Sequence, residues 1–216
     1  MSASSSTSKR ILVILGHPNA ESYCAALAQA YIDGAGGEGD QVTYLKLYEL
    51  AFDPILRFSK ALQQPLEADL LTAQEKMRQA DHWVLVYPTW WGHVPALMKG
   101  FFDRTLVQGF GFAYQDNQLL WEKLLKGKTA HIITTMSTPP WFYRLGYGDC
   151  GIQTLKKTTL GFCGIKTTQV TRIGQLRKFD EKQRTRWIEI IRQFGRQHKN
   201  KFLLQTKAVS PIVSET

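Results

Sequence analysis

The chain lacks several features that would assign it to a class at once. It contains no run of about 18 apolar residues, so a membrane-spanning helix is not indicated, and residues 1–9 are polar rather than of secretory type. The three cysteines, Cys24, Cys150 and Cys163, show no CxxC spacing and indicate neither a disulfide framework nor a zinc site. We therefore expect a cytoplasmic protein with ordinary thiols and no metal.

Apolar runs alternate with helix-forming segments along the chain. Five runs are typical of buried strands: KRILVILGHP, QVTYLKL, HWVLVYP, KTAHIITTM and KTTQVTRI. Between them, helical composition occurs in ESYCAALAQAYIDGA, LEADLLTAQEKMRQA, PALMKGFFDRTL and roughly 152–160. A basic segment at the end gives a closing helix. His131, inside the fourth apolar run, is interpreted as a core residue rather than a catalytic one.

This alternation favours an α/β fold with a parallel sheet covered by helices on both faces. Five strands in this series predict the doubly wound, flavodoxin-like order 2-1-3-4-5. We assign residues 9–200 to this single domain and residues 1–8 and 201–216 to polar tails. The connections at 48–65 and 107–127 are long and irregular, and the second has room for a short hairpin.

The basic segment needs an interpretation of its own. The formal net charge is +9, and much of the excess lies in residues 174–201. Such charge is compatible with a nucleic-acid or membrane-surface patch. Hydrophobic residues recur within it at helical spacing, however, which favours a solvated amphipathic helix: Trp187, Ile190, Ile191 and Phe194. No nucleic-acid motif accompanies the charge, so we expect no nucleic-acid partner.

In doubly wound sheets the ligand binds beyond the carboxyl ends of the strands, where the strand order reverses. Here that point lies between the first and third predicted strands, with the fourth adjacent. The loops that follow these strands are residues 16–24, 88–95 and 136–148. We expect these three loops to converge on one site.

The first loop suits a phosphate. It leads into a helix N-terminus, where free N–H groups and the helix dipole favour an anion, and His17, Asn19 and Ser22 can add donors. It matches neither GxxxxGK[ST] nor GxGxxG, so ATP and a Rossmann-type dinucleotide are not indicated. The absence of a GxSxG elbow likewise argues against a serine hydrolase.

The other two loops are rich in aromatic residues: Trp90, Trp91, Trp141, Phe142 and Tyr143. Aromatic faces stack on flat rings, although the same residues could pack a dimer contact or cover the sheet edge. Their position on converging loops favours a slot for a ring, with one indole of the Trp90–Trp91 pair facing it and the other packing inward. A phosphate site next to a ring slot describes a flavin site.

The loops also carry a family resemblance. GHPNAESYCAAL, YPTWWGHVPALMKGFFDR with the following GFAY, and TTMSTPPWFYRLGYG resemble the three signatures of the flavodoxin-like NAD(P)H:quinone oxidoreductases. LGFCGIK, residues 160–166, is similar to the family's segment before the last strand. The resemblance spans roughly residues 10–195. One departure is the stiff and bulky MSTPPWFYR, where some relatives have a Gly-rich loop.

The resemblance implies a flavoprotein that passes hydride from NADH or NADPH through bound FMN, or alternatively FAD, to a quinone or similar acceptor. It also implies a homodimer. The alternative is a regulatory or electron-carrier flavoprotein without its own quinone substrate. By the match, Trp141 and Tyr143 are expected as catalytic residues that edge the substrate pocket. The expected cofactor-binding residues are His17, Ser22, Tyr23 and Cys24 at the phosphate end, with Pro88, Thr89, Trp90, Trp91, Gly92, Thr135, Met136 and Ser137 around the ring.

Overall fold

The computed structural model describes residues 8–37, 39–58, 64–115 and 120–197. Five strands form one parallel sheet. From one edge to the other they are Gln41–Lys46 (β2), Arg10–Leu15 (β1), His82–Pro88 (β3), Thr129–Thr135 (β6) and Lys166–Ile173 (β7). Counted along the chain within this sheet, that is the predicted order 2-1-3-4-5. The α/β, flavodoxin-like prediction is confirmed. Of the predicted tails 1–8 and 201–216, all but Ser8 lie outside the described residues, and so do residues 198–200 at the end of the predicted domain.

Helices cover both faces of the sheet. Their bounds are Tyr23–Gly36 (α1), Ala68–Gln79 (α2), Ala96–Thr105 (α3), Pro140–Leu145 (α4), Cys150–Gln153 (α5), Gly161–Cys163 (α6) and Glu181–Gln197 (α7). A π-helical stretch, Thr154–Leu160, joins α5 to α6, so the helix predicted near 152–160 is present with a wider backbone winding. Short 3₁₀ turns occupy Leu47–Glu49 and Leu176–Lys178.

The alternation of side chains along the strands builds two core layers. In β1, Leu12 and Ile14 belong to the layer under α2 and α3. Ile11, Val13 and Leu15 belong to the opposite layer, under α1 and α7. Because successive strand residues point to opposite faces, an uninterrupted apolar run is what a sheet buried on both sides requires.

The basic C-terminal segment forms the amphipathic helix that its spacing predicted. Ile191 is buried against α1, and Trp187 and Phe194 are partly buried in the same layer. A Cβ on Gly195 would lie 2.3 Å from the Tyr31 carbonyl oxygen, so the glycine allows α7 to approach α1 closely. Hydrophobic packing therefore accounts for the segment's pattern, and its charges lie on the solvated side.

His131 is a core residue, as expected. It is fully buried in β6, its Nε2 lies 2.9 Å from the Thr171 hydroxyl, and its ring packs edge-on against Tyr31 and Phe194. The neighbouring groups enclose the imidazole in the first half of β6, away from the carboxyl end of the sheet.

The described parts of the two long connections, 48–65 and 107–127, are held by specific contacts. The buried guanidinium of Arg104 on α3 donates to the carbonyl oxygens of Asp53 (2.5 Å) and Pro65 (2.8 Å) and to the Glu67 carboxylate (2.8 Å). The predicted hairpin is present as a short antiparallel pair, Phe112–Ala113 (β4) with Glu122–Lys123 (β5). Both connections thereby fold onto the α2–α3 face.

No helix in the described part of the chain combines the length and apolar character needed to cross a membrane. The same residues contain no cluster of His, Cys, Asp and Glu that could hold a metal ion.

Candidate functional site

A cavity of about 190 Å³ lies at the carboxyl end of the sheet, where β1, β3 and β6 finish side by side. This is the point at which the strand order reverses and where the three loops were expected to converge. All three loops contribute to its wall. The lining residues are His17, Tyr23, Cys24, Pro88, Thr89, Trp90, Thr135, Met136, Ser137 and Leu176.

The first loop brings the N-terminus of α1 to the cavity. Ser22 is the N-cap, and its hydroxyl accepts a hydrogen bond from the Ala25 N–H at 3.2 Å. Tyr23 and Cys24, the first two helical residues, line the cavity. Their backbone N–H groups belong to the helix's first turn, which has no intrahelical acceptors, so the sequence delivers anion-binding donors here.

His17 is fixed by its own loop. Its Nδ1 accepts a hydrogen bond from the Asn19 N–H at 3.0 Å, so in the neutral ring the proton sits on Nε2. Burial lowers the pKa of His17 below its ordinary value of 6.5, although the bond with Asn19 acts the other way. His17 is therefore a neutral imidazole near pH 7 with one N–H left to donate to a ligand.

The Cys24 thiol and the Tyr23 hydroxyl, both on the first turn of α1, are unreactive at neutral pH. Burial raises the pKa of the Cys24 thiol to about 12, and its sulfur lies 3.3 Å from the Thr135 hydroxyl. Burial also raises the pKa of Tyr23 to about 12, while its hydroxyl donates to the Arg184 carbonyl oxygen at 2.8 Å. Both side chains stay protonated at neutral pH, so they shape the cavity and do not act as nucleophile or base.

The second loop contains a tight turn at Trp90–His93. The Trp90 N–H donates to the His93 carbonyl oxygen at 3.0 Å, and the His93 N–H donates back to Trp90 at 2.9 Å. The two central residues both have positive φ, 51° at Trp91 and 75° at Gly92, which is the pattern of a type I′ turn. For a bulky residue such as Trp91 this conformation costs about 1–3 kcal/mol.

The turn separates the paired tryptophans. The Trp90 side chain is 45% exposed, lies at the cavity wall and contacts the His17 ring edge-on at 5.7 Å between centroids. The Trp91 side chain, at the turn's tip, is fully exposed and does not line the cavity. One indole faces the slot, as expected, but its neighbour points to solvent rather than inward.

The third loop is tied to the strands on either side of it. The Met136 N–H donates to the Ile173 carbonyl oxygen at 2.8 Å, and the Thr89 N–H donates to Thr135 at 2.7 Å. The hydroxyls of Thr89 and Thr134 are 2.7 Å apart. These bonds set the spacing between the second and third loops, which form the two walls of the slot.

The two residues expected to be catalytic lie away from the cavity wall. The Trp141 side chain is 62% exposed at the start of α4. Tyr143 is buried, and its hydroxyl donates to the Gly92 carbonyl oxygen at 2.8 Å while it accepts from the Gly151 N–H at 3.1 Å. Tyr143 thus joins the second loop to α5 instead of edging the pocket.

The structure brings together nine of the fourteen residues predicted for the site. The others lie at its periphery: Ser22, Trp91, Gly92, Trp141 and Tyr143. Sequence reasoning missed Leu176, which reaches the cavity from the 3₁₀ turn after β7. It also missed Arg184, whose guanidinium lies 5.2 Å from the centre of the Tyr23 ring. No motif marks either residue.

The geometry agrees with comparisons with known proteins. Residues 9–194 match a family model described as a flavodoxin-like fold. An uncharacterized NAD(P)H oxidoreductase of Haemophilus influenzae is 30% identical over 187 residues, covering 84% of this chain and 92% of that protein. The Homo sapiens ribosyldihydronicotinamide dehydrogenase (quinone) is 29% identical over 185 residues, covering 73% and 78% respectively.

Solved structures are similar as well. Smu.1420 from Streptococcus mutans superposes with a TM-score of 0.77 at 30% identity, covering 87% of this chain and 99% of that one. An FMN-dependent NADH-azoreductase from Bacillus anthracis, solved in complex with FMN, shares the fold at 16% identity with a TM-score of 0.64, covering 89% and 98%. The resemblance that the three loops predicted is confirmed, and the chain belongs to the flavodoxin-like family that these NAD(P)H oxidoreductases represent.

Proposed function

We propose that the protein is a flavin-dependent NAD(P)H oxidoreductase that holds FMN in the cavity and delivers hydride to a quinone or a similar acceptor. The observation that carries this proposal is the cavity itself, which has hydrogen-bond donors for an anion at one end and two flat walls at the other. Relatives named NAD(P)H oxidoreductase and ribosyldihydronicotinamide dehydrogenase (quinone) support the donor and acceptor classes.

The donor set fits a phosphate. The first turn of α1 offers backbone N–H groups and the positive end of the helix dipole, and His17 offers a neutral N–H donor. Arg184, held over Tyr23, adds positive charge to the same side of the cavity. We assign these groups to the phosphate of the cofactor.

The opposite end fits a flat ring. Pro88, Thr89 and Trp90 form one wall, and Thr135, Met136 and Ser137 form the other. The walls combine the hydroxyl side chains of Thr89, Thr135 and Ser137 with the apolar side chains of Pro88, Trp90 and Met136. This mixture suits the polar and apolar edges of an isoalloxazine. Bound flavin would take hydride from NAD(P)H and pass it on; these residues hold and orient the ring.

The size of the cavity bears on assembly. Its volume of about 190 Å³ is below the roughly 300–1,000 Å³ usual for cofactor pockets, and large aromatic side chains at and beyond its rim are exposed. A second copy of the chain, seated on this rim, would enlarge and cover the slot. We therefore retain the homodimer as part of the proposal, to be checked by sedimentation equilibrium.

FMN is favoured over FAD because the FMN-bound neighbour shares the fold. In addition, Tyr23 and Arg184 pack together beside the phosphate end, where the adenosine half of FAD would have to lie. Of the two hydride donors, NADH and NADPH, the surplus positive charge of the chain favours NADPH, because it would attract the additional phosphate.

The test is direct. Purified protein should be yellow, or become so with FMN, and should oxidise NADH or NADPH when a quinone is added; the mass of the extracted chromophore identifies the flavin. Side-by-side assays with quinone, azo and nitro compounds rank the acceptors. A colourless preparation that neither FMN nor FAD can reconstitute would refute the proposal.

A further inference from the structure

The strained turn Trp90–His93 depends on contacts from outside its own loop. Trp91 and Gly92 occupy the left-handed region, and only the glycine does so without steric cost. The two hydrogen bonds between Trp90 and His93 close the turn but do not remove the strain at Trp91. Some other group must keep this conformation populated, because the strained form persists only where the surroundings determine it.

The outside contacts converge on the carbonyl oxygen of Gly92. It accepts the hydroxyl of Tyr143 at 2.8 Å, and the Cys150 sulfur lies 3.5 Å away. A Cβ on Gly151 would lie 2.2 Å from the same oxygen, so the first turn of α5 packs directly on the tip of the turn. The Tyr143 hydroxyl fills the remaining space by bridging Gly92 and the Gly151 N–H.

The base on which this bridge rests is rigid. Asp149, which precedes α5, forms a two-pronged ion pair with Arg172 on β7, with Nε to Oδ1 at 2.9 Å. The Tyr143 carbonyl oxygen accepts the Asp149 N–H at 3.0 Å. The sheet thus holds α5 in place through Arg172 and Asp149. In turn, α5 and Tyr143 hold the Gly92 carbonyl oxygen, and Gly92 is part of the turn that carries Trp90.

The Tyr143 hydroxyl commits its proton to Gly92, and Tyr143 does not line the cavity. The side chain is 2% exposed, and its hydroxyl both donates and accepts within the protein. Burial raises the pKa of Tyr143, so the hydroxyl keeps its proton at neutral pH and remains a donor to Gly92.

We infer that Tyr143 is a positioning residue: its hydroxyl holds the left-handed Trp91–Gly92 pair and thereby sets Trp90 as a wall of the flavin slot. The inference rests on the proposed function for the identity of the ligand. It replaces the expectation that Tyr143 takes part in the chemistry, and it explains why a fully exposed tryptophan can occupy a strained position.

The first experiment compares Tyr143→Phe with Tyr31→Phe, since both remove a hydroxyl from a fully buried tyrosine, and Tyr31 lies on α1. FMN affinity of the apo-protein, measured by flavin fluorescence titration, should weaken about tenfold in Tyr143→Phe and less than about twofold in Tyr31→Phe. Equal weakening in the two variants would reduce Tyr143 to a general stability role and overturn the inference.

The second experiment asks whether the hydroxyl acts through the turn. Trp91→Asn creates Asn-Gly, the pair that type I′ turns prefer, and so removes the strain that Tyr143 is inferred to oppose. In the Trp91→Asn background, adding Tyr143→Phe should weaken FMN binding by no more than about twofold. This cycle cancels any contribution of the Trp91 side chain itself. A tenfold loss in both backgrounds would show that the hydroxyl acts elsewhere.

The third readout needs no cofactor. In the apo-protein, NMR amide exchange at His93, whose N–H closes the turn, should speed up about tenfold in Tyr143→Phe and return toward the wild-type rate with Trp91→Asn added. Unchanged exchange would contradict the inference. If wild-type protein binds no flavin, the proposed function fails while this measurement still decides the role of Tyr143.

Discussion

The central sheet has an amino edge, where its parallel strands begin, and a carboxyl edge, where they end. The two are built in opposite ways. At the amino edge, Asp81 accepts from the Arg10 N–H at 3.0 Å and from its guanidinium at 2.9 Å, and Lys128 donates to the Ala80 carbonyl oxygen at 2.5 Å. The residues with positive φ just before these strands are all glycines, which adopt that conformation without strain: Gly39, Gly127 and Gly164. At the carboxyl edge lie all three non-glycine residues with positive φ in the described chain: Trp91, Asp149 and Gln175.

The difference follows from what each edge must do. An edge that only closes the sheet can satisfy its polar groups by the shortest local route. An edge that keeps a cavity open must turn its loops back without filling the space, and left-handed turns do this at a cost of about 1–3 kcal/mol each. Strain on one side and its absence on the other therefore mark which edge keeps the cavity open.

The comparison predicts its largest effect at Gly151. Gly151→Ala forces a Cβ to within 2.2 Å of the Gly92 carbonyl oxygen and 2.8 Å of the His93 Cα, so α5 and the turn must separate. We expect a loss of about 2–3 kcal/mol in unfolding free energy, and FMN affinity reduced roughly tenfold or more. Denaturant unfolding and flavin titration measure the two effects.

The control for that prediction is Gly36→Ala, because a Cβ at Gly36 meets nothing within 4 Å at the end of α1. It should leave both quantities unchanged or raise stability slightly. If Gly151→Ala behaved like Gly36→Ala, the close packing of α5 on the turn would not determine the cavity.

A substitution at the amino edge should have a smaller effect, and it should lower only the free energy of unfolding. Asp81→Ala removes the acceptor for Arg10, but the Asp81 side chain is 43% exposed, so the cost should be about 1 kcal/mol. FMN affinity should not change, because the cavity is at the other edge. A parallel loss of FMN affinity would mean that the two edges are coupled through the sheet.

The smallest expected effect is on the pH dependence of the unfolding free energy, to which the two edges contribute in different pH ranges. Burial lowers the pKa of His17 below 6.5, so the unfolded chain binds its proton first and stability declines as pH falls below 6.5. The hydrogen bond from Arg10 lowers the pKa of Asp81 below 3.8, so that contribution is present above pH 3.8 and is lost as pH falls further.

Unfolding free energies of apo-protein across pH 3–7 should therefore respond to the two edges in different ranges. His17→Gln should flatten the slope just below pH 6.5, and Asp81→Ala should flatten it only at the acid end. Identical curves for His17→Gln and wild type would argue against a partly buried, neutral His17 in the apo-protein.

Sequence patterns predicted the sheet because its strands are buried on both faces, and continuous apolar runs such as ILVIL leave little freedom in assignment. The loops that line the cavity followed from the strand order. The orientation of Trp91 did not, because a left-handed tryptophan is imposed by Gly151 and Tyr143, which lie far along the chain. The burial of Tyr143 and the approach of Leu176 are tertiary outcomes of the same kind.

The contrast among the cysteines has a practical consequence. Cys24 and Cys163 are buried, and burial raises the pKa of their thiols to about 12 and about 11. Cys150 is exposed beside the Gly92 carbonyl oxygen. A maleimide dye at neutral pH will therefore attach at Cys150 alone. This places a fluorescent reporter beside the Trp90–His93 turn in wild-type protein, where a response to added FMN or to rising protein concentration would report cofactor binding or self-association directly.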